Sequence, residues 1–171
     1  MTDASAVRGA PYSVHESQRL EEAVAYRIHR ANRLLLTHLS RFLQMNDQDL
    51  TPEKWFVLAR IYQEQPVRQV ELTEPTLEDA PNVSRLVESL VTSNLVERTF
   101  DPADRRRRIL MVTERGREIC RDLVNLAVIE RRKVFDGFTE GDIAALVGAL
   151  DRIEANLRSS LGEEATREKR D

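Results

Sequence analysis

Four consecutive arginines, Arg105 to Arg108, are the densest run of one chemistry in this 171-residue chain. From Arg98 to Arg108 five arginines stand against Asp101 and Asp104, a local charge of +3 in a chain whose formal net charge is −3. The remainder therefore carries −6, so an acidic body bears one short basic projection. An isolated basic run reads as a solvated loop, but guanidinium groups also suit phosphate and base edges. Strand alternation prevents all of these side chains from pointing one way. Arg106 is the candidate for entering a minor groove, where a narrow groove concentrates negative potential. Arg105 is the candidate for a phosphate or for pairing with Asp101 or Asp104. Arg107 stands beside them, and Arg108, next to a strand, reads as structural. A second polar group lies upstream. Asn82, Ser84 and Arg85 alternate with Val83, Leu86 and Leu90, so they project from the outer face of one helix. Amide, hydroxyl and guanidinium groups at a helix start suit base edges and phosphates.

The remaining reactive residues offer less. Cys120 is the single cysteine, which excludes an internal disulfide and a cysteine-based zinc site. A redox sensor needs an exposed thiolate of low pKa and a partner, and no second thiol is available; a small packing residue is the simpler reading. His15, His29 and His38 lie in or near the first helix. His29 and His38 fall about 180° apart on a helix and form no metal pair. No HExxH, GxSxG, P-loop or GxGxxG pattern occurs, so no enzyme, cofactor or metal is expected. Hydrophobic residues make up 41%, which excludes a disordered chain. No apolar run reaches the length of a membrane span, and the first residues are not expected to be a secretory signal. Aromatics at 5% disfavour a stacking platform for single strands. These features point to a cytoplasmic protein.

Positioning these groups requires a mainly α fold with one small β-hairpin. Residues 1–12 read as a disordered arm. Ser13 with Glu16 matches a capping box opening a helix over 13–48. Its stripe is Leu20, Val24, Ile28, Ala31, Leu35, Leu39 and Phe42. Thr51-Pro52 starts a second helix with Trp55, Leu58, Ala59 and Tyr62 inward, ended by Pro66. Val70 to Leu72 suggests helix, and Pro75 is expected to break it. Ala80-Pro81-Asn82 opens the next helix, buried on Val83, Leu86, Val87 and Leu90 and stopped at Ser93-Asn94. Leu95–Phe100 and Ile109–Val112 then read as strands of a hairpin with a charged tip. Thr113 caps a long helix carrying Ile119, Leu123 and Leu126. Phe135 to Phe138 breaks it. Thr139 with Asp142 starts the last helix, with the stripe Ile143, Leu146, Val147, Leu150, Ile153, Leu157 and Leu161. Residues 163–171 are a charged tail. The middle, 51–112, is a winged helix-turn-helix, and the long flanking helices, 13–48 and 113–162, need a two-fold partner to cover their stripes.

The segment Asn94–Arg98, Asp101-Pro102-Ala103-Asp104-Arg105-Arg106 and Leu110–Arg117 resembles the wing signature of MarR-type (multiple-antibiotic-resistance regulator) transcription factors. Pro81–Val87 is similar to the recognition helix of that family and Thr51–Leu58 to its second helix. The resemblance, over about residues 20–160, implies a homodimer with winged-helix lobes on a pseudo-palindromic double-stranded operator, and release of DNA by a small aromatic effector. Compatible effector-binding parts are His38 and Arg41 on the first helix, Trp55 and Tyr62 on the second, and Arg115 after the wing. The chain departs from the pattern at Pro75, which implies a short first helix of the helix-turn-helix and a longer turn. The function read from the sequence is thus a DNA-binding transcription regulator, a repressor released by an effector. The alternatives are a winged-helix module that docks on an acidic protein, or a redox-responsive regulator using Cys120.

Overall fold

The computed structural model describes residues 23–46, 50–76, 78–101, 104 and 108–168. The chain forms two compact units that part between Leu123 and Val124. The expected arm, the Ser13–Glu16 box and Leu20 lie outside the described residues.

The first unit opens with α1 (Val24–Asn46), in which only Phe42 and Leu43 are buried. Thr51 and Pro52 start α2 (Pro52–Glu64) as their chemistry dictates: the Thr51 hydroxyl accepts the Lys54 N–H at 3.4 Å, and proline loses no helical bond at the first position. The inner face of α2 is rotated from the expected one. Val57, Leu58 and Ile61 are buried, whereas Trp55, Ala59 and Tyr62 are half-buried. Pure aliphatics take the dry centre, and the rings with polar tips sit where water still reaches them. A 3-10 turn (Gln69–Leu72) leads directly into α3 (Thr73–Thr76). Pro75 therefore does not break the helical stretch at its own position. It is the third residue of α3, within the first turn of the α-helix, where proline is tolerated.

Helix α4 (Ala80–Thr92) is capped by Asp79 and buries Val83, Val87 and Leu90. It packs on α2, on the 3-10 turn and on β1 (Val96–Phe100). Its end is a Schellman motif: Leu95 N–H donates to Leu90 O and Asn94 N–H to Val91 O, both at 2.9 Å. Asn94 supplies the left-handed residue at φ 57°, a conformation that asparagine tolerates better than most side chains. β1 pairs antiparallel with β2 (Arg108–Val112), with Arg98 opposite Leu110. The outer edge of β2 is also satisfied. Val67 and Leu110 exchange backbone bonds of 3.3 and 2.8 Å, and the Gln65 side chain accepts the Val112 N–H at 3.0 Å. A hairpin marginal on its own is thereby tied into the core through Leu95, Val96, Ile109, Leu110 and Val112. Helix α5 (Glu114–Val134) begins in this unit, where Gly116, Cys120 and Leu123 are buried.

The second unit holds the remainder of α5 and α6 (Glu140–Glu168). Helix α6 extends into the stretch read from sequence as a charged tail. Gly137, at φ 81°, makes the turn between the two helices, and the rings of Phe135 and Phe138 meet edge to face at 5.8 Å. Thr139 and Asp142 cap α6 reciprocally. The Asp142 carboxylate accepts from the Thr139 N–H and hydroxyl at 2.9 and 2.7 Å, and the Thr139 hydroxyl accepts the Asp142 N–H at 3.1 Å. The apolar stripe of α6 is exposed from Leu146 to Leu161.

Candidate nucleic-acid interface

The burial of Val83, Val87 and Leu90 fixes which side of α4 faces outward. Ser84, Arg85 and Glu88 are exposed and Asn82 is half-buried. The helix start is tightly organised. The Asp79 carboxylate accepts the Asn82 backbone N–H at 2.7 Å. The Asn82 side-chain nitrogen donates to the Glu78 carboxylate, and its oxygen accepts from the Arg85 guanidinium at 2.6 Å. Glu78 escaped the sequence reading because it stands ahead of the Asp79 cap, outside α4, where the spacing rules for a helix surface do not apply.

The far end of α4 is held from two sides. Three successive carbonyls are taken by the start of α5. Ser93 O accepts from the Arg115 guanidinium at 3.0 Å, Asn94 O from the Thr113 hydroxyl at 2.8 Å, and Leu95 O from the Thr113 N–H at 3.1 Å. The Thr113 hydroxyl also accepts the Gly116 N–H at 3.0 Å, which caps α5. Glycine at 116 permits this approach: a Cβ there would stand 2.0 Å from the Leu95 carbonyl oxygen. On the wing side, Arg98 of β1 donates to the Glu88 carboxylate at 2.6 Å. Arg98 thus serves to join wing to helix, and its charge is answered within the protein. Arg108 places its guanidinium 5.9 Å from the centre of the Phe100 ring, which fits the structural role read for it. Arg105, Arg106 and Arg107, with the roles assigned to them, lie outside the described residues.

The other candidates separate. His38 and Arg41 are exposed on α1. Trp55 and Tyr62 stand two turns apart on one side of α2, and Arg115 is engaged with Ser93 O. A groove of about 350 Å³ on α2 is lined by Phe56, Ala59, Arg60, Gln63 and Thr76, none of which the sequence reading selected as a site residue. Cys120 is fully buried, and burial pushes its thiol up to about 11. It is a protonated thiol at neutral pH, the opposite of what a redox sensor requires. Among the described residues no group of three or more His, Cys, Asp or Glu could hold a metal ion, and no helix is long and apolar enough to cross a membrane.

A sequence model described as the MarR family matches residues 48–107, the stretch that contains α2, α3, α4 and β1. The transcriptional regulator HosA of Escherichia coli O111:H- is 30% identical over 91 residues, 53% of this chain and 67% of that protein. The chain belongs to the MarR family. It is accordingly a transcriptional regulator of a DNA-binding family, built on the winged helix-turn-helix described above. Solved MarR-family structures agree. AbsC, a MarR family transcriptional regulator from Streptomyces coelicolor, is 29% identical with a TM-score of 0.69 over 79% of this chain and 93% of its own. A MarR variant from Escherichia coli complexed with operator DNA is 25% identical with a TM-score of 0.68, over 75% and 91%.

Proposed function

We propose that this MarR-family chain is a homodimeric repressor that grips a pseudo-palindromic duplex and lets it go when a small aromatic acid binds. The observation that carries the reading is the outer face of α4. Ser84 and Arg85 are exposed at the start of a helix whose other face is locked into the core, and the hairpin stands beside it. In this reading α4 enters the major groove with Ser84 and Arg85 foremost and Asn82 beside them, and the wing arginines Arg105, Arg106 and Arg107 reach the minor groove or backbone. A complex of the related MarR variant with operator DNA supports the same use of the fold here. A dimer places two such helices about one helical turn apart and blocks a promoter by occupying it.

The effector half of the proposal rests on Trp55 and Tyr62, half-buried on one side of α2. With His38, Arg41 and Arg115 they supply aromatic walls and cations suited to an aromatic carboxylate. A ligand that draws Arg115 from Ser93 O would loosen one of the three bonds holding the end of α4. Release requires that the ligand bind one lobe arrangement better than another, and a tenfold loss of operator affinity corresponds to about 1.4 kcal/mol of such preference.

Selection of duplexes from a random pool tests the DNA reading directly. The expected result is a palindrome with half-sites about one turn apart. Arg106→Ala should weaken binding and flatten the salt slope by about one unit for each phosphate that the side chain neutralises. Arg85→Ala should cost about 1–3 kcal/mol if it makes a bidentate bond to a base. Failure to select any duplex would favour a winged-helix module that docks on an acidic protein. Titration of salicylate-like acids into the complex, followed through Trp55 fluorescence and DNA release, tests the effector. No response at millimolar concentration would remove the aromatic acid from the proposal.

A further inference from the structure

We infer that Glu78 and Asn82 are positioning residues that leave base recognition at the start of α4 to Arg85, and that Glu78 also weakens binding to DNA of the wrong sequence. The inference rests on the DNA-binding reading above and deepens it. The three side chains form one chain of bonds along the helix start: the Glu78 carboxylate accepts from the Asn82 amide nitrogen, and the Asn82 amide oxygen accepts from Arg85 Nη2 at 2.6 Å. An asparagine reads adenine by donating from its nitrogen and accepting on its oxygen. Here one N–H of the nitrogen is engaged by Glu78 and one lone pair of the oxygen by Arg85. The two bonds fix the amide plane along the helix start, and a bidentate approach to adenine must fit the single N–H and lone pair that remain, so the residue type of Asn82 overstates its part in recognition. Arg85 is in the reverse position. A guanidinium carries five N–H donors, and the bond to Asn82 uses one. The others stay available for guanine or phosphate oxygens, on a side chain whose freedom is already reduced before binding.

Glu78 adds a second effect through its charge. It lies immediately before the N-cap Asp79, where the approaching backbone is negative. Repulsion there is indifferent to sequence and acts on every duplex. On the operator it is offset by the alignment of Arg85, which pays only where the matching base is present. The pair of effects therefore widens the gap between operator and other DNA.

The two effects separate in a pair of substitutions, measured on the selected operator, on its single-base-pair variants and on an unrelated duplex. Glu78→Gln keeps an acceptor for Asn82 and removes the charge. Its affinity for unrelated DNA should rise about three- to tenfold while base preference persists. Asn82→Ala keeps the charge and breaks the chain. Its preference at the base pair read by Arg85 should fall about five- to tenfold, a larger factor than any loss on unrelated DNA. Glu78→Ala should show both changes and a new tolerance for adenine, as Asn82 is released. Thermal unfolding of each variant confirms that it is folded. Asn82→Ala with full base preference, or Glu78→Gln with unchanged affinity for unrelated DNA, overturns the inference while the DNA-binding reading stands. A wild-type chain that selects no duplex overturns both.

Discussion

Cys120 and Gly116 sit one turn apart at the start of α5, and both are explained by closeness rather than reactivity. The thiol titrates near 9.0 in an exposed chain and at about 11 in the fold. The folded state therefore holds its proton longer, so this contribution to stability is present below about pH 9 and is lost as pH rises towards 11. Native protein at pH 8 should react with a disulfide reagent far more slowly than unfolded protein; equal rates would show the thiol to be accessible. Gly116→Ala drives a methyl group against the Leu95 carbonyl, backbone against backbone. A loss of about 1–3 kcal/mol or more is expected in chemical denaturation, with operator binding weakened in what remains folded. At this scale the sequence revealed residue types but not their commitments. Asn82 and Arg85 announce themselves as polar groups at a helix start, yet the bonds that engage them run to Glu78 and to each other. Arg115 reads as a free cation until a carbonyl 22 positions earlier in the chain is found against it.

Capping is short-range chemistry, which is why the boundaries of α2, α4 and α6 were legible at Thr51-Pro52, Pro81 and Thr139–Asp142. Strand pairing across long separations is not. The Val67–Leu110 bridge and the Gln65–Val112 bond join residues more than 40 positions apart, and no local pattern marks them. The interior of α2 was misjudged for a related reason: spacing locates a stripe, but neighbours from other elements decide which edge of it is driest. The α6 cap yields a pH prediction. Hydrogen bonds from the Thr139 hydroxyl and N–H hold the Asp142 carboxyl below its ordinary value. Its contribution is thus present above the unfolded pKa and is lost as pH falls through the lower, folded one. Asp142→Asn should melt earlier than wild type at pH 7, and the difference should shrink below about pH 4 as the native carboxylate gains its proton. A difference that is constant with pH would mean that the charge is irrelevant to the cap.

Across the whole molecule, each of the two units leaves apolar side chains uncovered in one copy. Leu157 and Leu161 are 58% and 64% exposed, and Val24 at the start of α1 is 61% exposed. Each aliphatic side chain of this kind gains about 1.5–3 kcal/mol when buried. A second copy is the expected cover, and Leu150→Asp or Leu157→Asp should turn a dimer into a monomer in light scattering. A wild-type monomer at micromolar concentration would refute the dimer. The carbonyl clamp at Ser93, Asn94 and Leu95 then takes on a mechanical meaning. Three bonds and a Cβ-free approach at one joint tie the end of α4 to the first turn of α5, and the two meet as one braced corner. Over the roughly 20 Å of the 13-residue α4, a tilt of about 5° at this joint sweeps the far end through about 2 Å. In the proposed complex a displacement of that size carries a reading head out of register with its groove, so a small rotation at this joint is geared up at the start of α4, where Arg85 stands.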